Sequence, residues 1–284
     1  MIQALGIYRE VLHSPDRETD DSRILELTGR ALALRGCSVT LKRAEEIGGA
    51  SDLAGLRPDL VFMMCEQEGI LHLVEEKFGS RAQVFNSVES VRNTYRFRMI
   101  PRLQQAGVPM PESRLVSVSG PVPESVFPVW VKRGDVHNTR KGDVFPARTS
   151  PEIDEAFASF RSRGITHALL QEHVPGDLIK FYGIGDAGPA LEDGSFRPWF
   201  KWFYHKNQDL KRHPFSEEDL REATRSAARA LGLEVYGGDA IAAAGGRLVL
   251  IDLNAWPSFA LFRDEAARAI AETLLYRTRE RVKA

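Results

Sequence analysis

The spacing of apolar and polar positions changes several times along the chain, and each change predicts an element. Gln3 to Tyr8 reads as a short buried strand, followed by the polar run "VLHSPDRETDD". In "SRILELTGRALALRG", Ile24, Leu25, Leu27, Ala31, Leu32 and Leu34 recur at helical spacing and stop at Gly36, which predicts an amphipathic helix. "CSVTLKR", "DLVFMMC" and "AQVFN" read as strands, with a helix over "ILHLVEEKFG" before the last of them. Alternating strands and helices predict a small parallel α/β unit over residues 1–90. "SVRNTYRFRMIPRLQQAGVPMPES" predicts a helix closed by Gly107, which Pro101 is expected to kink or split.

From Arg114 onward strands dominate. "FPVWVKRG" is a strand ending in a cation, and "HNTRKGDVF" is a polar loop entering another strand. "SPEIDEAFASFRSRG" predicts a helix with its cap at Ser150 and acidic residues in its first turn. "HALLQEHV" and "LIKFYGIG" read as strands, and "SEEDLREATRSAARALG" as a capped helix. "VYGGDAIAAAGGRLVLIDLN" reads as a hairpin turning at Gly245 and Gly246, before a C-terminal amphipathic helix. No internal repeat or low-complexity linker interrupts this order.

Composition narrows the classes. At 284 residues and 43% hydrophobic, the chain can bury a sizeable core in two or three compact units. A net charge of −1 gives no global electrostatic case for nucleic acid or an anionic membrane, so any cationic site must be local. Cys37 and Cys65 lack metal-type spacing and read as reduced core residues. The N-terminus lacks a secretion signal, and no run approaches a membrane span, so a soluble cytoplasmic protein is expected.

Candidate chemistry begins at "LVLIDLNAWPSF". Asp252 and Asn254 stand at i and i+2 of an apolar strand, so their side chains point the same way. Alone, Asp-x-Asn reads as strand-end punctuation ahead of a hard-cation site. Lys132 closes another apolar strand, where a buried ammonium is costly unless it meets an anion. Lys180 interrupts a third strand, and "FRPWFKWFYHKNQDLKRHPF" concentrates basic and aromatic residues in an otherwise neutral chain.

In order, "YRFRMIPRLQQAGVPMPES", "PVWVKRG", "LLQEHVPGD", "LIKFYGIGD" and the pair "GGDAIAA"/"LIDLNAWP" resemble the ATP-grasp superfamily, in particular its glutathione synthetase and ribosomal-protein glutamate ligase branch. The resemblance spans roughly Ser90 to Phe259. It implies an α/β (α+β) ATP-grasp fold with an N-terminal parallel pre-ATP-grasp domain at 1–90, a central subdomain at 91–176 and a C-terminal subdomain at 177–284.

The resemblance also implies roles. ATP would be held by Lys132, by the hinge residues Gln171, Glu172, His173 and Val174, and by Asp177 on the ribose hydroxyls. Mg²⁺, with Mn²⁺ as the alternative, would sit on Asp239, Asp252 and Asn254. Lys180 and Arg96 would face the transferring phosphate, Arg96 replacing the family's usual lysine. His137 and Arg140 lie in the loop that covers the phosphates. Arg197, Lys201, His205 and Lys206 would form a wall receiving an anionic substrate. The implied reaction is carboxylate–amine ligation through an acyl phosphate. Asp252, where ligases usually carry Glu, keeps open a kinase acting on a polyol or inositol phosphate.

Overall fold

The computed structural model describes residues 1–13, 18–136, 138, 140–186 and 198–283. Its first sheet is parallel. Strands β1 (Gln3–Ile7), β2 (Ser38–Lys42), β3 (Leu60–Met63) and β4 (Gln83–Phe85) lie in the order β2-β1-β3-β4. Helices α1 (Glu18–Ala33) and α2 (Glu68–Phe78) connect them. All four residues of β3 are buried, as continuous apolar strands are when both faces of a parallel sheet are covered. Gly6 shows how close that packing is: a Cβ there would stand 2.5 Å from Leu41 and 2.6 Å from Phe62.

The segment after β4 forms two helices, α3 (Val88–Arg92) and α4 (Arg96–Gln105). The break falls at residues 93–95 and not at Pro101, which sits exposed inside α4. The cause is tertiary. The N–H groups of Arg96 and Phe97 donate to Asp135 O (3.0 Å) and Gly134 O (2.9 Å), so α4 starts where a distant loop supplies acceptors for its first turn.

The second sheet is antiparallel. Strands β5 (Ser113–Ser117), β6 (Val129–Arg133), β7 (Val144–Ala147) and β8 (His167–Glu172) run in the order β5-β8-β6-β7. Helix α5 (Ser150–Arg161) packs Ile153, Phe157 and Phe160 against Val129, Val131 and Leu170. Thr149, not Ser150, holds the N-cap position, and its hydroxyl makes no capping bond. Glu152 reaches back instead and accepts from the Arg148 N–H at 2.5 Å.

The third sheet is also antiparallel. Strands β9 (Gly176–Ile184), β10 (Trp199–Tyr204), β11 (Val235–Ala243) and β12 (Leu248–Ala255) run in the order β10-β9-β11-β12. Helix α6 (Glu217–Leu231) begins with Ser216 Oγ accepting from Asp219 N at 3.1 Å and ends at Gly232 in the left-handed region. The β11–β12 turn uses Gly245 and Gly246 at φ 71° and 77°, the conformation glycine adopts without strain. Helix α7 (Arg263–Lys283) packs on α1. Strand β10 comes from the basic aromatic stretch, whose aromatic density masks its alternation.

One apolar core joins all three sheets. It includes Leu5 and Val61 of the parallel sheet, Leu169 of β8, and Ile179, Phe181 and Leu253 of the third, with Met99 of α4 and Leu220 of α6. Among the described residues no helix is long and apolar enough to cross a membrane. Cys37 and Cys65 are buried and free, and burial pushes the Cys65 thiol well up.

Candidate active site

The third sheet has two faces of different character, and one irregularity creates the useful one. In the register of β11 with β12, Ile241 pairs with Val249, Ala240 with Leu250, Asp239 with Asp252 and Gly237 with Asn254. Ile251 has no partner and forms a β-bulge between Asp239 and Ala240. A regular strand alternates its faces, so Val249 and Asp252, three residues apart, would point oppositely. The extra residue resets that alternation. Leu250, Leu253 and Ala255 therefore enter the main core, while Val249, Asp252 and Asn254 share the other face.

Across this face the cross-strand partners converge. Asp239 lies opposite Asp252 on one side and Lys180 on the other. Lys180 Nζ donates to Asp239 Oδ1 at 2.6 Å, and Arg96 Nη2 donates to Asp252 Oδ2 at 2.9 Å. Lys132 reaches over from β6, and its Nζ donates to the carbonyl of the bulged Ile251 at 3.1 Å. Asn254 is half-buried on the same face, opposite Gly237. Five of the residues singled out in the sequence as catalytic or metal-binding, together with Lys132, thus meet at one place, with three cations facing two carboxylates.

Lys132 is the most perturbed of them. It is only 5% exposed, and burial lowers its pKa from 10.5 to about 8; the nearby Asp252 and Asp239 oppose that shift, and Arg96 adds to it. Its charged form is therefore costly here until an anion arrives.

Next to the carboxylates lies an apolar bed that the sequence reading did not single out. Ile241 and Ile251 are half-buried around Val174, Ala243 and Val249. The hinge borders it. Gln171 is buried and donates to Ser113 Oγ at 3.1 Å, and His173 Nδ1 accepts from Trp130 Nε1 at 3.0 Å. Glu172 is paired with Arg247 at 3.1 Å, whose guanidinium holds its carboxyl below the usual range. Residues 173–175 run between β8 and β9 outside any strand.

Asp177 has a different place from the one the resemblance implies. It lies in β9 at odd spacing from Lys180, so it points to the opposite face, and it is fully buried. Its two oxygens accept from the backbone N–H groups of Lys211 (2.6 Å) and His213 (2.7 Å). The carboxylate anchors the loop after β10 and is directed away from the face of Lys180 and Asp239.

The basic stretch is only partly open. Lys201 shares the face of Lys180, but its Nζ stands 3.3 Å from Glu265 of α7 and over the Phe262 ring. His205 is half-buried, with Nδ1 accepting from Asn207 N at 3.3 Å, and Lys206 is exposed. Arg197 and His137 lie outside the described residues. Arg140 is exposed, and its backbone N–H donates to Asp143 at 3.1 Å.

The first sheet contributes from the other side. Half-buried Arg9, just after β1, donates to Ala255 O (3.1 Å) and Trp256 O (3.0 Å), immediately after Asn254. Glu66 and Asp21 hold its guanidinium at 3.2 and 3.8 Å. The turn beyond Asn254 is strained, with Trp256 at φ 43°.

Two carboxylates and an amide oxygen are hard donors, and they suit a cation such as Mg²⁺ that completes its shell with water and phosphate. Among the described residues no group of three His, Cys, Asp or Glu side chains could hold a metal by itself. Three donors leave about half of a hard cation's shell to other ligands, so the set fits a cation shared with a phosphate ligand better than a permanently caged one.

No protein-family model and no curated protein matches this chain. Solved structures do. A RimK-domain ATP-grasp protein from Sphaerobacter thermophilus DSM 20745 superposes with a TM-score of 0.68 at 16% identity, covering 96% of this chain and 99% of that one. D-alanine–D-alanine ligase from Bacillus anthracis gives 0.67 at 12% identity, covering 99% and 100%. D-cycloserine synthetase DcsG gives 0.66 at 17%, covering 97% and 99%. Element order, sheet topology and these full-length superpositions agree: the chain has the fold of the ATP-grasp superfamily.

Proposed function

We propose that this protein is an Mg-ATP-dependent carboxylate–amine ligase. The observation that carries the reading is the convergence of Asp239, Asp252 and Asn254 with Lys132, Lys180 and Arg96 on one sheet face beside an apolar bed. That arrangement suits a nucleotide, with its base on Ile241 and Ile251 and its phosphates among the cations. Two of the proteins sharing the fold are named as ligase and synthetase, and the B. anthracis ligase has also been solved complexed with ATP.

The chemistry follows from charge. A substrate carboxylate oxygen attacks the γ-phosphorus in line, the bond to the ADP oxygen breaks, and an acyl phosphate forms. An amine then attacks the acyl carbon and inorganic phosphate leaves. Negative charge spreads over the phosphoryl oxygens, and positioned cations lower the barrier. Lys132 and Lys180 are held for this by the Ile251 carbonyl and Asp239. Asp239, Asp252 and Asn254 would hold Mg²⁺, which neutralises phosphate charge when bound. No nucleophilic side chain is needed.

The second reading is phosphoryl transfer to an alcohol, favoured by Asp252 standing where the ligases usually carry Glu, and by Lys180 where they often carry Arg. One experiment separates the two. ¹⁸O-labelled amino acids, small peptides and inositol phosphates are screened with Mg-ATP, and label is followed into free phosphate. Ligation moves one carboxylate oxygen into phosphate, and hydroxylamine intercepts the intermediate as a hydroxamate. A phosphorylated alcohol with no label transfer overturns the ligase. Failure of calorimetry to detect Mg²⁺-dependent nucleotide binding overturns both.

A further inference from the structure

Arg96 was expected, by resemblance, to face the transferring phosphate. Its surroundings give it other work. The side chain is 1% exposed, so every donor must be satisfied within the protein. Nη1 donates to Arg133 O at 3.1 Å and to Val136 O at 2.9 Å. Nη2 donates to Asn138 Oδ1 at 3.1 Å and to Asp252 Oδ2 at 2.9 Å. All four Nη hydrogens are thus engaged, three of them by the chain leaving β6. Only Nε remains, and it is buried without a partner.

The same chain is tied again at the backbone, where the N–H groups of Arg96 and Phe97 meet Asp135 O and Gly134 O. Its far end is held independently. Fully buried Asp143 accepts from Arg133 (3.1 Å) and Arg163 (2.6 Å). Arg96 therefore bonds both this segment and a carboxylate of the candidate cation site.

We infer that Arg96 is a positioning residue that fastens the segment after β6 to Asp252, coupling the order of that segment to the charge state around Asp252. The planar guanidinium suits this task because its fork meets several acceptors in one plane. A lysine has three donors on one atom and cannot span the same set. A divalent cation arriving at Asp252 competes with Nη2 for Oδ2 and loosens the fastening. The latch stands on its own geometry; only its response to metal rests on the cation reading of Asp252.

The test uses amide hydrogen exchange over residues 133–136, 138 and 140–143 in the full-length, ligand-free protein. Arg96→Lys should accelerate exchange there by at least about tenfold, since local opening follows the bonds lost. The amides of β11 and α5 should be unchanged. Asn138→Ala, at an exposed position that threatens no core, should accelerate it by about threefold. In the Arg96→Lys background it should add nothing further, because the shared bond is already gone. Wild-type exchange rates in both single variants, or full additivity in the double variant, would overturn the latch.

The metal arm adds MnCl₂ alone. Exchange should rise in the wild type and stay level in Arg96→Lys. If the variants behave as described while Mn²⁺ has no effect on the wild type, the latch holds and competition by free metal for Asp252 Oδ2 fails.

Discussion

Lys132→Met should abolish measurable nucleotide binding and yet raise the stability of the folded protein. The lysine is almost fully buried, and burial lowers its pKa from 10.5 to about 8. At pH 7 the protein therefore carries a charge it would rather lose, at a cost of about 3 kcal/mol relative to a solvated lysine. Methionine has similar length and no charge to desolvate. Against this gain stands one lost hydrogen bond to Ile251 O, about 1 kcal/mol. The net expectation is about 1–2 kcal/mol of added stability, or a few degrees in Tm.

The pH dependence has a definite sign. The unfolded chain holds the proton up to about 10.5 and the folded chain only to about 8, so between these values the unfolded state binds more protons. Wild-type stability contributed by this group therefore rises with pH across that window, and the rise disappears in Lys132→Met. Denaturant melts at pH 7 and pH 10 for both proteins measure it. A constant difference between them would refute the account. Nucleotide affinity of the wild type should move the other way and weaken as pH climbs past 8.

Asp252→Asn should cut turnover by at least about a thousandfold, the range found when one preorganised electrostatic group is removed from a transition state. The amide is nearly isosteric and still offers an oxygen to Arg96 Nη2, so the fold should survive. Nucleotide binding measured without a divalent cation should change by less than about threefold, one hydrogen bond's worth at the low end. Steady-state assays beside calorimetry in EDTA separate these effects. Full activity in the variant would reduce "IDLN" to a strand end.

Much of this was legible beforehand for identifiable reasons. The α6 cap at Ser216, the glycine turn at 245–246 and the parallel first sheet follow from local chemistry and short-range periodicity. Lys132, Lys180, Asp252 and Asn254 stood out because a charged or amide group in an apolar strand is anomalous, whereas Asp239 came only from the family resemblance. What escaped depends on partners far away in the chain. The start of α4 is set by the carbonyls of Gly134 and Asp135, which no reading of "NTYRFRMIP" contains. The strand nature of "WFKWFY" was hidden because both faces of β10 are aromatic, one toward α7 and one toward Phe215. Asp177 was assigned by its distance from the hinge, while its place in β9 turns it to the opposite face. The bulge did leave a trace: Leu250 and Leu253 both require the core side, although three residues separate them.

The Ile251 bulge also bears on how variation in this chain should be sampled. Its contribution to Lys132 is a backbone carbonyl, so all nineteen alternative side chains at position 251 offer the same oxygen. A library built only from substitutions would report on the side chain's place in the apolar bed and miss the carbonyl. Removing the residue is a different operation. The ladder would become regular, Leu250 and Leu253 would keep the core side, and Asp252 and Asn254 would keep theirs, while the acceptor for Lys132 would vanish. At this position information resides in chain length as well as in residue identity, and a scan of single-codon deletions is the instrument that reads the former.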